Sequence, residues 1–467
     1  MTPATTVKLA LTGGRSDHLR IGLTMAASTL GTVLGLAAIN VLLIGGSEQG
    51  RYRSAVLDQS GLHAGVLAAI LGLLVPLVLF VGQCSRLGAP ARDRRLAAFR
   101  MAGATPAEVR LIAAAETGLA TIGGGVLGAA SFVAAKALLP STPDFEGRLA
   151  YPTDVAVPAW VFVVVVGALA VVSTLGAMLA LRNVSIDPLG VARQKRRTVP
   201  TLTPLLLLGI GVLGLSFSLT LFTALGLDKE GNPAPMAISF LFFVCVAIGL
   251  TLGSAALTQR IAGVIAPRTR RVALLLASRR MIDAPYRASR PTAAVLLAVF
   301  VAATIQQTRT NFLLATDPAD PFYAGTFDLL DLVLIVAVLL AAAGLIVAAA
   351  EGISERRRTL ASLVAGGTPR ATIARSVLGE SLVPLLPGVL VAATAGTLVA
   401  RGFFGGRVSH HSGEFGNDPS KLVAVPIPWD QLGLLIGGSL FAVTALTAVA
   451  LLFLPASTST VELRAAA

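Results

Sequence analysis

Residues 21–45, 157–180 and 332–350 each pass without a single charged side chain. About 20 apolar residues suffice to cross the hydrocarbon core of a bilayer as a helix. A backbone surrounded by lipid must satisfy its own hydrogen bonds, which leaves helices or closed barrels as the only solutions. Runs of this length without strand-like alternation therefore dictate helices. The whole chain agrees: 55% of its 467 residues are hydrophobic and 13% charged, with a mean hydropathy of +0.80, where soluble domains keep about a quarter charged.

A sliding window of about 19 residues predicts ten spans, near 20–45, 63–84, 109–139, 157–181, 202–226, 236–258, 290–307, 328–350, 372–400 and 430–454. The third and ninth are long, so each is expected to start as a cytoplasmic helix before entering the bilayer. The first run is too long for a signal-peptide core and is expected to be a retained span behind a short cytoplasmic segment. With the N-terminus inside, 28 of the 37 Lys and Arg residues fall on the cytoplasmic side, 8 fall outside, and Lys136 sits within a span. Asp144, Glu146, Asp154, Asp228, Glu230, Asp317 and Asp320 all fall outside. That asymmetry predicts cytoplasmic termini. It also makes the net charge of +13 topogenic and lipid-facing, with no nucleic acid as partner. The fold class expected is an all-α polytopic membrane protein.

The chain repeats itself. At an offset of 263 residues, RRLAAFRMAGATPAEVR (94–110) aligns with RRTLASLVAGGTPRATI (357–373). Arg94, Arg95, Ala98, Ala102, Gly103, Thr105 and Pro106 match Arg357, Arg358, Ala361, Ala365, Gly366, Thr368 and Pro369. Further along, Gly125-Val126-Leu127 coincides with Gly388-Val389-Leu390, and DPLGVAR (187–193) has its counterpart in VELRAAA (461–467). Each copy reads as a short arginine-bearing helix, ended by a permissive glycine and restarted by a Thr N-cap with Pro at the first helical position. The product is a helix–turn–helix elbow under the membrane, joined to the next span and suited to docking a cytoplasmic partner.

On these residues the chain resembles the FtsX-like permease family, membrane subunits of mechanotransmission-type ABC transporters such as MacB, LolC/LolE and BceB. The family pattern, an arginine-rich helix, a small-Gly-small-Thr turn and a later glutamate, is Arg94-Arg95…Ala102-Gly103-Ala104-Thr105…Glu116, then Arg356-Arg357-Arg358…Ala365-Gly366-Gly367-Thr368…Glu380. The resemblance implies two three-span modules in a ten-span BceB-like layout. The first would cover 63–200 with an elbow at 91–110, and the second 328–467 with an elbow at 354–375. Residues 1–62 would hold the first span and 201–327 the connecting spans.

The resemblance further implies a permease that couples a separate ATPase to export or membrane extraction of an amphipathic substrate, such as a peptide antibiotic, lipid or lipoprotein. ATP and Mg would sit in that cytoplasmic ABC ATPase, expected in two copies, with no cofactor on this chain. Consistently, GxxxxGK[ST] is absent and Gly-Lys occurs nowhere. Membrane lipids, and a sensor kinase or envelope protein, complete the expected partners. A signalling subunit that moves no cargo and a secondary transporter are the alternative functions.

The chain departs from the family pattern in two places. Short connections at 45–62 and 308–326 stand where relatives carry a large external domain, and Glu380 lies one position beyond the counterpart of Glu116. Glu116 and Glu380, inside their spans, are costly and therefore functional or paired; pairing with an arginine is expected over a proton relay. Gly123, Gly124, Gly125 and Gly128, with Pro384, Pro387 and Gly388, are expected hinge or packing points. Lys136 is expected to snorkel. Asp328 and Asp331 open a span from outside and suit either a helix start or a cationic ligand. His410-His411 lies in a Gly/Ser/Asn-rich loop (401–429) expected to be mobile, without enough ligands for a metal. Cys84 and Cys245 are expected to be free.

Overall fold

The computed structural model describes residues 15–44, 51–52, 57, 98–99, 101–139, 147–149, 151–182, 202–227, 234–315, 327, 330–331, 334–335, 338, 341, 344–349, 352, 356–410 and 421–451. They form two compact units, residues 1–195 and 196–467. Among them are six helices long and apolar enough to cross a bilayer, or seven if a bent pair is one span.

In the first unit, α1 (Arg15–Leu42) packs along α2 (Pro106–Leu138), and α2 also carries α3 (Ala159–Arg182). Leu36, Phe132 and Val161 are the buried contact of the three helices, with the Phe132 and Phe162 rings edge to face at 6.3 Å. The glycines of α2 allow the approach. Any side chain at Gly124 or Gly128 would meet the backbone of α1 at Met25 or Thr29, and Thr29 Oγ1 donates to the Gly124 carbonyl at 3.0 Å. Gly125 faces the other way, onto Val166 of α3. These are packing points between helices. Where α1 ends, Tyr52 is buried and donates to Asp154 at 3.0 Å, and Arg51 pairs with the same carboxylate at 2.5 Å. Lys136 donates to the Val155 carbonyl.

The second unit is built round α8 (Pro285–Ala315), whose residues Ala293–Phe300 are all buried. Being apolar on every side there, α8 is a core helix. It packs chiefly on α10 (Arg370–Phe404), and also on α6 (Ala234–Ile265) and α11 (Trp429–Ala450). α10 is one helix with Pro384 and Pro387 inside it; Pro384 and Gly388 are buried, the latter against Leu296. α2 and α10 have 33 and 35 residues, about 50 Å each at 1.5 Å per residue, well beyond a core of about 30 Å.

Two expectations change. The span at 202–226 is two helices, α4 (Thr203–Ser216) and α5 (Ser218–Ala224), bent by 66° at Phe217. Ser216 and Ser218 donate to the carbonyls of Val212 (2.7 Å) and Leu215 (2.9 Å), a competition that bends helices. The connection after α6, expected to be a cytoplasmic loop, contains an amphipathic helix, α7 (Val272–Asp283), which buries Ala277, Ser278 and Met281. The described residues are consistent with the all-α polytopic class expected, and between α10 and α11 they add one short hairpin: β1 (Arg407–His410) and β2 (Lys421–Ala424) pair antiparallel, Arg407 opposite Ala424 and His410 opposite Lys421. Residues 63–84, Cys84, Asp328 and His411 lie outside the described residues, while those described between 327 and 349 are helical. Cys245 is a free thiol.

Candidate functional site

The two elbows share one turn chemistry, with a shift of one residue. In the first, Ala98, Phe99 and Met101 are helical, Gly103 takes φ +96°, and the Ala104 N–H donates to the Phe99 carbonyl at 3.0 Å. That six-to-one bond around a left-handed glycine is a Schellman end. Thr105 then caps α2. Its Oγ1 accepts from the Glu108 N–H at 3.3 Å while Glu108 Oε2 accepts from the Thr105 N–H at 2.9 Å, a closed capping box with Pro106 at the first position. Ala102, Gly103 and Thr105 are exposed; Arg94 and Arg95 lie outside the described residues.

In the second elbow, α9 (Arg357–Ala365) runs one residue further. The left-handed residue is Gly367, at φ +88°, and not Gly366, which stays at φ −77° as the C-cap. Thr368 donates its N–H to Leu363 at 3.0 Å and Gly367 to Val364 at 3.0 Å. Thr368 is therefore part of the helix end and caps nothing: Pro369 occupies the N-cap of α10, without a side-chain bond. The cause is local. An extra glycine carries the turn one step on, and position 371 is Ala where the first copy has Glu108. Leu360 and Ile373, both buried, clamp α9 to the start of α10, leaving Ala365 and Gly366 exposed.

Glu380 fastens this elbow from within. It sits on α10, and both its carboxylate oxygens accept from Arg356 Nη1, at 2.9 and 2.7 Å. Arg356 stands immediately before α9. A second guanidinium, Arg280 of α7, reaches the same carboxylate at 3.9 Å. One half-buried anion thus joins the elbow helix, the long membrane helix and the amphipathic helix. Burial pulls the Arg280 guanidinium below its ordinary range; Glu380 opposes that shift and Arg356 adds to it. Glu116, its counterpart in the first unit, is buried at 3% exposure on α2. Arg280 escaped sequence reasoning because nothing near position 280 points to a carboxylate a hundred residues later. Glu108 did leave a signal, the Thr-x-x-Glu of a capping box.

At the opposite end of the second unit, α8 becomes polar. Gln306 Nε2 and Arg309 Nη1 donate to the two oxygens of Asp331, at 3.0 and 2.9 Å, and Arg309 lies over the Phe327 ring at 5.6 Å. Asp331 is thus already engaged by an internal cation. Buried Gln307 donates to the Pro426 carbonyl at 3.3 Å, just before α11. Among the described residues no three His, Cys, Asp or Glu side chains gather as a metal would require.

A family model described as FtsX-like permease C-terminal matches residues 65–188 and 332–459, together more than half of the chain. Each matched stretch contains one elbow and the long helix that follows it. Comparison with curated proteins and with solved structures gave no match.

Proposed function

The chain belongs to the FtsX-like permease family, and from that membership we propose that it is the permease subunit of an ATP-driven ABC transporter of the MacB/LolCE/BceB kind. A separate cytoplasmic ATPase, in two copies, docks on the elbows at 91–110 and 354–375, and its closure on ATP drives export or membrane extraction of an amphipathic substrate. The observation that carries this reading is the Arg356–Glu380 pair at 2.7 Å, with Arg280 behind it. A force applied to α9 has two stiff routes into α10, the Schellman turn with its Leu360–Ile373 clamp and the ion pair about two turns further along. Packed elements joined in this way move as rigid bodies. The duplicated sequence around Gly103 supplies a second such lever in the first unit.

To test the proposal, the chain is purified with its ATPase in lipid nanodiscs and ATP hydrolysis is compared with that of the ATPase alone. Stimulation is expected, and the Gly103→Val, Gly367→Val double variant is expected to abolish it while the chain still inserts. Equal hydrolysis by variant and wild type, or substrate movement by the chain without an ATPase, would refute it.

A further inference from the structure

The inner side of α7 fixes its depth in the membrane. Ala277 and Met281 pack with Ala262 of α6 and Val383 of α10 in one apolar contact, and a side chain at Gly379 of α10 would touch Ala277. Residues 381–400 of α10 carry no charge, a rise of about 30 Å that equals the hydrocarbon thickness of about 30 Å. Glu380 and Arg401 bracket that run and therefore mark the two edges of the hydrocarbon. On α6 the uncharged run ends at Arg260, two residues before the Ala262 contact. Both helices thus hold α7 at the edge nearer the second elbow, which is the level of the lipid headgroups. The short connections from α6, which ends at Ile265, and to α8, which starts at Pro285, keep it there.

The outer side of α7 mixes apolar and cationic groups. Val272 and Leu275 are 66% and 37% exposed, and Arg279 follows on the same face at helical spacing, also exposed. Arg268, Arg270 and Arg271 stand exposed in the turn that leads into the helix. Arg268 donates to the Val264 carbonyl at 3.0 Å and has further N–H donors to offer. None of these four guanidiniums forms an ion pair with a described residue; the ion pairs of this unit engage Arg280, Arg309 and Arg356. Between positions 266 and 284 five arginines stand against one acid, Asp283. In water Val272 and Leu275 would be wetted. In the headgroup layer they reach the upper acyl chains while the arginines meet phosphates, the arrangement of a helix that lies in a membrane interface.

We propose that α7 and the arginines preceding it form a docking surface for anionic phospholipid, in the leaflet on the side of the second elbow. The guanidiniums of Arg268, Arg270, Arg271 and Arg279 bind phosphodiester oxygens, for which their planar fork is suited. The excess of cations selects a lipid of net negative charge over a zwitterionic one, as basic clusters on amphipathic helices beside membrane spans do. The inference goes beyond the permease reading and does not depend on it. Binding needs no ATPase, so the experiment uses the full chain alone in nanodiscs of phosphatidylcholine.

The probes are phosphatidylglycerol and phosphatidylcholine, each present in trace amount and bearing the same photoreactive group near the top of an acyl chain. After irradiation and proteolysis, label on peptides from 268–283 is compared with label on the lipid-exposed stretch of α10 around Leu398. The phosphatidylglycerol probe is expected to label 268–283 about fivefold more strongly than the phosphatidylcholine probe, and the preference should shrink as salt is raised. The Arg270→Gln, Arg271→Gln, Arg279→Gln variant should lose the preference, whereas lysine at the same three positions should keep most of it. Arg370→Gln with Arg375→Gln, which neutralises exposed arginines at the start of α10, should leave it unchanged. Circular dichroism and gel filtration establish that the variants fold. Equal labelling by the two probes, or a preference indifferent to the glutamine variant, would overturn the proposal. So would an α7 that takes no lipid label and is shielded from proteolysis only when the ATPase is added, since the surface would then belong to a protein partner. Loss of ATPase stimulation with the lipid preference intact would refute the coupling proposal and leave this one standing.

Discussion

Gly366 and Gly367 are neighbours of identical composition, yet only Gly367 has a backbone that a side chain would strain. An L-residue in the left-handed region costs about 1–2 kcal/mol, so Gly367→Ala should lower the unfolding free energy by about 1 kcal/mol. Gly366→Ala, at φ −77° with its nearest obstacle at 3.4 Å, should be neutral or slightly stabilising. Denaturant unfolding of the detergent-solubilised chain reads both. The two threonines divide in the same way. Thr105→Ala removes a working cap and should cost about 1 kcal/mol, while Thr368→Ala should cost almost nothing, because its hydroxyl caps no helix. The repeat that makes the elbows recognisable also hides this difference. Matching Gly103 to Gly366 is correct by sequence, but a Gly-Gly pair gives the chain two places to turn left-handed, and only the geometry shows the second was taken.

Among the elements, the long helices were legible because lipid enforces them: an uncharged run of more than 20 residues has no other fold in a bilayer. Legibility failed where the deciding partner was distant or where polarity was sorted by charge alone. α7 lay inside a segment read as a cationic loop, although Leu274, Ala277, Ser278 and Met281 repeat with helical spacing. The break at Phe217 falls within an unbroken apolar run, and its cause is a pair of serine hydroxyls. The ion cluster tests whether these elements act together. Glu380→Gln keeps the size and some hydrogen bonding but removes the carboxylate charge that Arg280 and Arg356 both approach. A loss of about 2 kcal/mol is expected. A double-mutant cycle with Arg356→Met should give a coupling above about 1 kcal/mol, and in the assembled complex ATPase stimulation should fall with it. A coupling near zero would mean that the pair is a surface contact and would remove it as a route in the coupling proposed above.

Over the whole chain, each unit carries its turn chemistry at the start of a long membrane helix, and the second unit adds an apolar cavity between α8 and α11. Sequence reading found the first of these and missed the second, since a cavity depends on the packing of three helices and leaves no pattern in any of them. The bent α4–α5 pair has its own consequence for the surrounding lipid. α4 has 14 residues, a wall of about 21 Å against a hydrocarbon thickness of about 30 Å. Acyl chains beside it must compress locally to avoid wetting apolar surface, a mismatch that costs fractions of a kcal/mol per Å. Reconstituted with the proposed ATPase in a series of phosphatidylcholines of increasing chain length, the chain should therefore stimulate hydrolysis best in a thin bilayer and less as the membrane thickens, and the Ser216→Ala, Ser218→Ala variant, freed to straighten, should shift that optimum toward longer chains.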